Sequence, residues 1–529
     1  MVYKGVVRKT DVAIKIPRNT LSEKQVEDFR KEVAILSSVF HPNICLFLGA
    51  YVGQSEIIIV NELLEGNVAE LVANPNFSLS TTQKLRMNLD AALGLSWLHG
   101  SGIVHRDIKP SNYLFKRLGE ASFQIKVCDF GLSDLNNGAV VRESNPKGTP
   151  LYMAPEVLLS KPLNEKVDVY SWAVTLWEIV TGQEPYSQIS SVEKLVKFVC
   201  IDHQRPVLPP TWGASLSKLM AAAWHSQPDQ RPSFEEIASR MRDVLVESSI
   251  HDLAGQLFWK SCFSGGRDTI PFREFAEHFF AQFPSLRGKL PEQEESAAMS
   301  GYVGEVKMGS LPLQGARLSA SFGEHPAGAA EGQLRIHFLR LMRLLFVDDA
   351  SNEAVVNLEY FGKVLDWVGP IESEDPFLFF FRLARLYAKP WFFGGIRTQD
   401  ATSLLLTKPP GTYLVRFCNN AQFPGFYVLS TVTVSGTGTV VAHVRIRHRA
   451  GDKFSLEKIQ NTGAYDTLEE LIEGCAAKLN LRKACPNRKY EYAVFEHLQD
   501  ELKALELDRG RSRMVESSGS AMEMSGEGL

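Results

Sequence analysis

His105-Arg106-Asp107-Ile108-Lys109-Pro110-Ser111-Asn112 decides how the rest of the sequence is read. A carboxylate, an ammonium and an amide stand at Asp107, Lys109 and Asn112 in one short proline-broken segment. Downstream, Asp129-Phe130-Gly131 follows a strand-like run, Gln124 to Cys128, and Met153-Ala154-Pro155-Glu156 closes the stretch. Upstream, Val12-Ala13-Ile14-Lys15 reads as a short apolar strand ending in a lysine. After it, Val26 to Val39 sets Phe29, Val33 and Leu36 on one helical face, with Glu32 among them. Each piece alone is ordinary, a strand with an exposed lysine or a polar loop. In this order and at these separations the set is specific.

Phosphoryl transfer asks little covalent chemistry of a protein: an anchored triphosphate, neutralised charge and an oriented hydroxyl. The set resembles protein kinases from Val2 to about Leu245. The resemblance implies a two-lobed fold, a small strand-rich lobe over a helical lobe, with ATP in the cleft between them. It implies that Lys15 meets the α/β-phosphates and pairs with Glu32, and that Asp107 orients the substrate hydroxyl or takes its proton. Lys109 would neutralise the moving phosphate, Asn112 and Asp129 would hold Mg2+, and the hinge residues Glu62 and Leu64 would border the nucleotide. Asp168 and Arg231 stand where the family has a helix-capping aspartate and a late arginine, the latter the usual partner of the glutamate at Glu156's position.

Acceptor class rests on two places. Lys109, two residues past Asp107, and Thr149 in Gly148-Thr149-Pro150-Leu151-Tyr152-Met153 follow the serine/threonine pattern. Asp168-Val169-Tyr170-Ser171-Trp172 resembles the tyrosine-kinase-like group, which leaves dual specificity open. Arg106 before Asp107 is the arginine that in such kinases grips a phosphate on the activation segment, and Ser144 is the candidate for that phosphosite. Two features depart from the family. A glycine-rich loop would precede the segment Met1-Val2-Tyr3-Lys4-Gly5, so the expectation is a small lobe without its first strand and phosphate lid, the sequence being incomplete or its start misplaced. Weak ATP affinity is the other reading. The second departure is Asn61, an unusual residue immediately before the hinge.

The bulk numbers agree with a soluble multidomain chain. Its 529 residues correspond to three or four domains, and 44% apolar with 22% charged residues is ordinary for globular proteins. A net charge of −4 gives no nucleic-acid footprint. Seven irregularly spaced cysteines read as reduced cytosolic thiols. Neither a signal peptide nor an apolar run of about 18 residues is present, so there is no transmembrane segment and membrane contact is expected only peripherally, through a partner.

Near the other end, Gly411-Thr412-Tyr413-Leu414-Val415-Arg416-Phe417 reads as a central strand that buries an arginine among apolar neighbours. Strand alternation from Val440 to Arg449 puts His443, Arg445, Arg447 and Arg449 on one face. Either the arginine is paired with a glutamate in the core, or it forms an anion pocket with the basic strand. With Trp391-Phe392-Phe393-Gly394-Gly395-Ile396 at its start and a late helix from Thr467 to Ala477, the block Trp391 to Phe495 resembles Src-homology-2 (SH2) domains. The resemblance implies that Arg416 grips phosphotyrosine and that His443 and Arg445 wall the pocket. Thr398, with Arg397 before it, stands where a second arginine is usual, and Cys418 where a serine is usual.

Between the two modules, Phe258 to Phe280 and Leu334 to Leu365 each read helix, loop, helix. Asp348, Asn352 and Glu359 keep three EF-hand ligand spacings, but Ala350 and Glu353 break the set, and the loop at Ser264-Gly265-Gly266 lacks acidic residues. These segments resemble degenerate EF-hands of the kind that brace the phosphotyrosine module in Cbl-type proteins, a packing bridge rather than a calcium site. The expected fold class is α+β and multidomain: a kinase fold over 1–246, EF-hand-like helices over 247–283 and 333–388 around a flexible insertion at 284–332, an SH2 fold over 389–497, and a helix end with a disordered tail over 498–529. The whole resembles the amoebal SH2-bearing kinases of the tyrosine-kinase-like group. Its implied partners are ATP, protein substrates and phosphotyrosine-containing proteins, the alternatives being a catalytically dead adaptor or a module that only clamps the kinase.

Overall fold

The computed structural model describes residues 2–16, 30, 33–34, 36–52, 57–75, 77, 79–118, 122–129, 134–135, 148–263, 267–283, 339, 342–343, 346, 355–369, 371, 376–418, 425–435, 438–448, 453–457, 459 and 463–485. The chain divides into two compact units, Met1–Ser248 and Ser249–Leu529.

In the first unit a tight hairpin joins β1 (Val2–Val7) to β2 (Thr10–Lys15), its turn residues Arg8 and Lys9 at φ 50° and 69°. With β3 (Phe47–Val52) and β4 (Ile57–Glu62) they form a four-stranded sheet in the order β1-β2-β4-β3. Of the helix expected over 26–39, residues 30, 33–34 and 36–38 are described and helical; Glu32 lies outside the described residues. The remainder of the unit is helical around a smaller sheet. After β5 (Gly66–Asn67), a capping box between Ser80 and Gln83 starts helix α1 (Thr81–Gly100). Then come β6 (Ile103–Val104), β7 (Tyr113–Arg117), β8 (Phe123–Val127) and β9 (Asp134–Leu135). The order β5-β7-β8 makes one sheet and β6-β9 another. Helix α2 (Lys166–Thr181) is apolar on nearly every side and stops where Gly182 turns left-handed at φ 69°.

Trp172, Val174, Leu176 and Ile179 of α2 are fully buried against Leu95 and Leu98 of α1 in one continuous core. The Trp172 indole donates to Asn88 O across that contact. Gly94 lets α1 approach the Asn43 backbone, since a Cβ there would lie 2.6 Å from Asn43 O. The same Asn43 carbonyl accepts from Val127 N, which ties β8 to the segment ahead of β3. Arg231 and Glu156, both buried, form the expected bidentate pair at 2.6 and 2.8 Å.

The second unit begins with α3 (Leu253–Cys262), β10 (Thr269–Pro271) and α4 (Phe272–Gln282). Short β11 (Val355–Asn357) pairs antiparallel with β10, bringing the two expected loops side by side, and leads into α5 (Leu358–Val368) and α6 (Pro376–Tyr387). Phe258, Phe275, Phe279, Phe346 and Phe361 pack edge-to-face and tilted in a buried aromatic cluster between these helices. Of the residues at EF-hand ligand spacing, Asp348 and Asn352 lie outside the described residues, and Glu359 sits in the first turn of α5 with its N–H donated to Asn357 Oδ1. No cluster of three His, Cys, Asp or Glu able to hold a metal occurs among the described residues.

The C-terminal part sets α7 (Thr398–Leu406) against a sheet of β12 (Thr412–Phe417), β13 (Tyr427–Ser435), β14 (Gly438–Arg447) and β15 (Ser455–Leu456). Helix α8 (Leu468–Cys475) and β16 (Lys483–Ala484) complete it, in the order β15-β14-β13-β12-β16. The Trp367 ring of α5 stacks on Phe417 at 4.2 Å, its indole N–H reaches Phe426 O, and the Tyr427 hydroxyl donates to Trp367 O. The helical segment is therefore joined to the sheet through a buried tryptophan with both its polar and apolar surfaces satisfied.

Candidate active site and candidate phosphate site

A cleft of about 320 Å³ runs between the small-lobe sheet and the strands of the helical part of unit one. Ala13 and Lys15 of β2, Ile59 and Asn61 of β4, Leu114 of β7 and Asn112 with Asp129 line it, and Glu62, Leu63 and Leu64 form its rim. The Lys15 ammonium lies 2.7 Å from Asp129 Oδ1. The Glu62 carboxylate is engaged by the fold, its Oε1 accepting from Leu46 N and from Lys126 Nζ, both at 2.7 Å.

Asp107, Lys109, Asn112 and Thr149 meet beside this cleft. Lys109 Nζ bonds Asp107 Oδ2 at 2.7 Å and Thr149 Oγ1 at 3.0 Å. Asn112 Nδ2 donates to Asp107 O and Oδ2. This use of the amide nitrogen keeps the Asn112 carboxamide oriented, and its oxygen is the end that remains for a cation.

The segment after β8 is strained at Asp129, and the loop holding Asp107, Lys109 and Asn112 is strained at Arg106, both at φ 68°. Asp168 holds that loop. Its Oδ2 accepts from His105 N and its Oδ1 from Arg106 N, both at 2.7 Å, and His99 Nε2 lies 2.9 Å away. Asp168 is thus not the cap of α2, a position Glu165 occupies; it sits in the first turn with its carboxylate aimed at the loop. Burial alone would raise its pKa, but the His99 hydrogen bond and the neighbouring histidine charge and backbone N–H outweigh it and hold the carboxyl below its ordinary value. Burial pushes the cleft thiol of Cys45 up to about 12, and the Cys128 thiol rises for the same reason. Ser144 lies outside the described residues.

In the second unit Arg416 is only 4% exposed. Nη2 donates to Thr398 Oγ1 at 2.7 Å and Nη1 to Phe417 O, while Nε is buried without a partner among the described residues. No carboxylate pairs with it among the described residues. Burial lowers its pKa. Register puts Arg416 opposite Val428 and Val428 opposite Arg445, with Ser430 opposite His443, so all point to the face that α7 covers. The His443 ring lies between Ser430 Oγ and Thr402 Oγ1, and burial, then the Arg416 charge, lowers its pKa. Arg445 is paired with Glu457. Arg397 turns outward to Asp400, and Thr398 takes the inward place beside Arg416.

Sequence reading missed Asp168's grip on the loop, Thr402 and Ser430 around His443, and Glu457 on Arg445. Only Ser430 had a signal, the period-2 alternation that aligns it with Val428 on the Arg416 face.

A nucleotide-sized cleft with this loop chemistry, followed by a sheet that buries an arginine with no carboxylate partner among the described residues, defines a protein kinase carrying an SH2-type module. Comparison with known sequences agrees. Residues 1–241 match the family described as protein tyrosine and serine/threonine kinase, and residues 391–474 match the SH2 domain. Dual specificity protein kinase shkA of Dictyostelium discoideum is 34% identical over 93% of this chain and 87% of its own length. Dual specificity protein kinase shkC of the same organism is 34% identical over 92% of this chain and 90% of its own. The chain belongs to this family of protein kinases that carry an SH2 domain. It is an ATP-dependent protein kinase of intracellular signalling. Among the described residues no helix is long and apolar enough to cross a membrane.

Proposed function

We propose that the chain transfers the γ-phosphoryl of ATP to serine and threonine hydroxyls of proteins, with tyrosine as a second acceptor, at sites to which its SH2 module brings it by binding phosphotyrosine. The single observation that carries the catalytic part is the contact of Lys109 with both Asp107 and Thr149 at the mouth of the Lys15–Asp129 cleft. Asp107 orients the acceptor hydroxyl and receives its proton. Lys109 offsets charge on the phosphoryl in flight, and Thr149 flanks the hydroxyl. Lys15, now bonded to Asp129, would serve the α/β-phosphates, and Asp129 with Asn112 would hold the metal. The hard oxygen donors of Asn112 and Asp129 suit Mg2+, which prefers one or two protein oxygens together with water and phosphate. When bound, the metal neutralises β- and γ-phosphate charge. The backbone from Glu62 to Leu64 takes the base.

Tyrosine as a second acceptor rests on the relatives' description as dual specificity kinases. Phosphotyrosine binding rests on Arg416, buried with spare donors, and on His443 and Arg445 of the same face. Arg445 reaches the ligand by exchanging Glu457 for phosphate. Tethering raises local substrate concentration without a strong active-site preference, and phosphorylated partners at a membrane would recruit the chain there peripherally. The paired helices over 247–283 and 333–388 act as a degenerate EF-hand brace, a reading supported by β10–β11 pairing and the Trp367 contact. The test is phosphoamino-acid analysis of protein substrates labelled from γ-phosphate-labelled ATP by the full chain. Phosphoserine and phosphothreonine are expected, with a smaller phosphotyrosine fraction; label on tyrosine alone would overturn the assignment.

A further inference from the structure

Asn61 is a polar cleft residue without a use in the scheme above. It is the penultimate residue of β4, immediately before Glu62. Register sets it beside Ala13 and sets Ile59 beside Lys15, so these side chains share the face that lines the cleft. Its neighbours Ala13, Cys45 and Ile59 are apolar or weakly polar, and another apolar residue would continue that wall. A carboxamide stands there instead. Its Oδ1 is buried and has no hydrogen-bond partner among the described residues. Buried orphan acceptors are rare, and each calls for a partner that the protein alone does not supply.

The base supplies one. A purine lying between Ala13 and Leu114, with its polar edge along the backbone from Glu62 to Leu64, turns the substituent nearest Glu62 toward Asn61, the preceding residue. The 6-amino group of adenine carries two N–H donors. A backbone carbonyl would take only one of them, which leaves the second for another acceptor on the cleft wall. We propose that Asn61 Oδ1 accepts this second N–H, making Asn61 a nucleobase-reading residue. The inference rests on the reading that the cleft holds ATP.

A chemical double-mutant cycle tests it. Dissociation constants of ADP and of purine riboside 5′-diphosphate, which lacks the 6-amino group, are measured by calorimetry with magnesium on the full chain and on Asn61→Leu, a near-isosteric apolar change. Loss of the amino group is expected to weaken binding to the wild type more than to Asn61→Leu, the ratio of ratios being roughly three- to tenfold, the yield of one net hydrogen bond. Should Asn61→Leu not melt cooperatively, Asn61→Val serves, with the same coupling expected. A ratio of ratios within about twofold of unity, with ADP bound normally, would overturn the role of Asn61 and leave the kinase cleft standing. A wild-type chain that binds neither nucleotide would remove the cleft reading and this inference with it.

Discussion

Asp168→Asn changes one atom and leaves volume alone, yet it should disable the kinase. The Asp168 carboxylate faces only donors: His105 N, Arg106 N and the His99 ring. An asparagine offers one acceptor oxygen and turns an NH2 toward another donor. One charge-assisted hydrogen bond, about 1.5–3 kcal/mol, is lost, and a buried N–H is left unsatisfied at a further cost of about 1–3 kcal/mol. The loop so released holds Arg106 at φ 68°, a conformation that itself costs about 1–3 kcal/mol to maintain. A net penalty near 3 kcal/mol falling on the catalytic conformation corresponds to about 100-fold in kcat. The assay is steady-state phosphoryl transfer beside ADP affinity and a thermal melt; kcat should drop about 100-fold while ADP affinity changes less than about threefold. The sign with pH follows from the depressed carboxyl. Its stabilisation is complete above the ordinary aspartate value near 3.9 and is lost as pH falls through the lower folded value, so at neutral pH the variant forfeits all of it. Wild-type kcat together with a wild-type melt would refute the loop-holding role.

Three further outcomes are expected. Gly94→Ala puts a methyl 2.6 Å from Asn43 O in the α1 contact, and a loss of about 1–3 kcal/mol should appear in urea unfolding of the first unit. His443 titrates below 6.5 in the free protein because of burial and the Arg416 charge; a phosphate dianion beside it stabilises the imidazolium, so its pKa, followed by NMR, should rise on adding a phosphotyrosine peptide. No rise would place the phosphate elsewhere. The Cys45 thiol, pushed up to about 12, should resist alkylation at pH 7.5 in the folded chain and react readily once urea unfolds it, as read by peptide mass spectrometry.

The candidate catalytic groups were legible because kinase chemistry packs such groups into short, ordered motifs: Asp107, Lys109 and Asn112 lie within six residues and meet in space. Arg416 was legible for a different reason, an arginine inside an apolar strand being conspicuous on burial grounds alone. What escaped depends on contacts across long separations. Asp168 grips backbone N–H groups 62 and 63 residues earlier, and main-chain donors carry no sequence signature. Glu457 meets Arg445 across a strand pair whose register only the folded sheet sets. The β10–β11 pairing involves three residues a side, too few for periodicity to reveal. Asn61 was visible as odd, but its oddity acquires meaning only with the neighbours that leave Oδ1 orphaned.

The proposed mechanism hangs on Asp107, and Asp107→Asn separates chemistry from binding. The measurement is the single-turnover rate of γ-phosphate transfer by the full chain at saturating Mg·ATP, beside the ADP dissociation constant. With ADP affinity unchanged, the rate should fall by at least about 100-fold, as removal of an acid–base group requires. Transfer by Asp107→Asn at the wild-type rate would contradict the account.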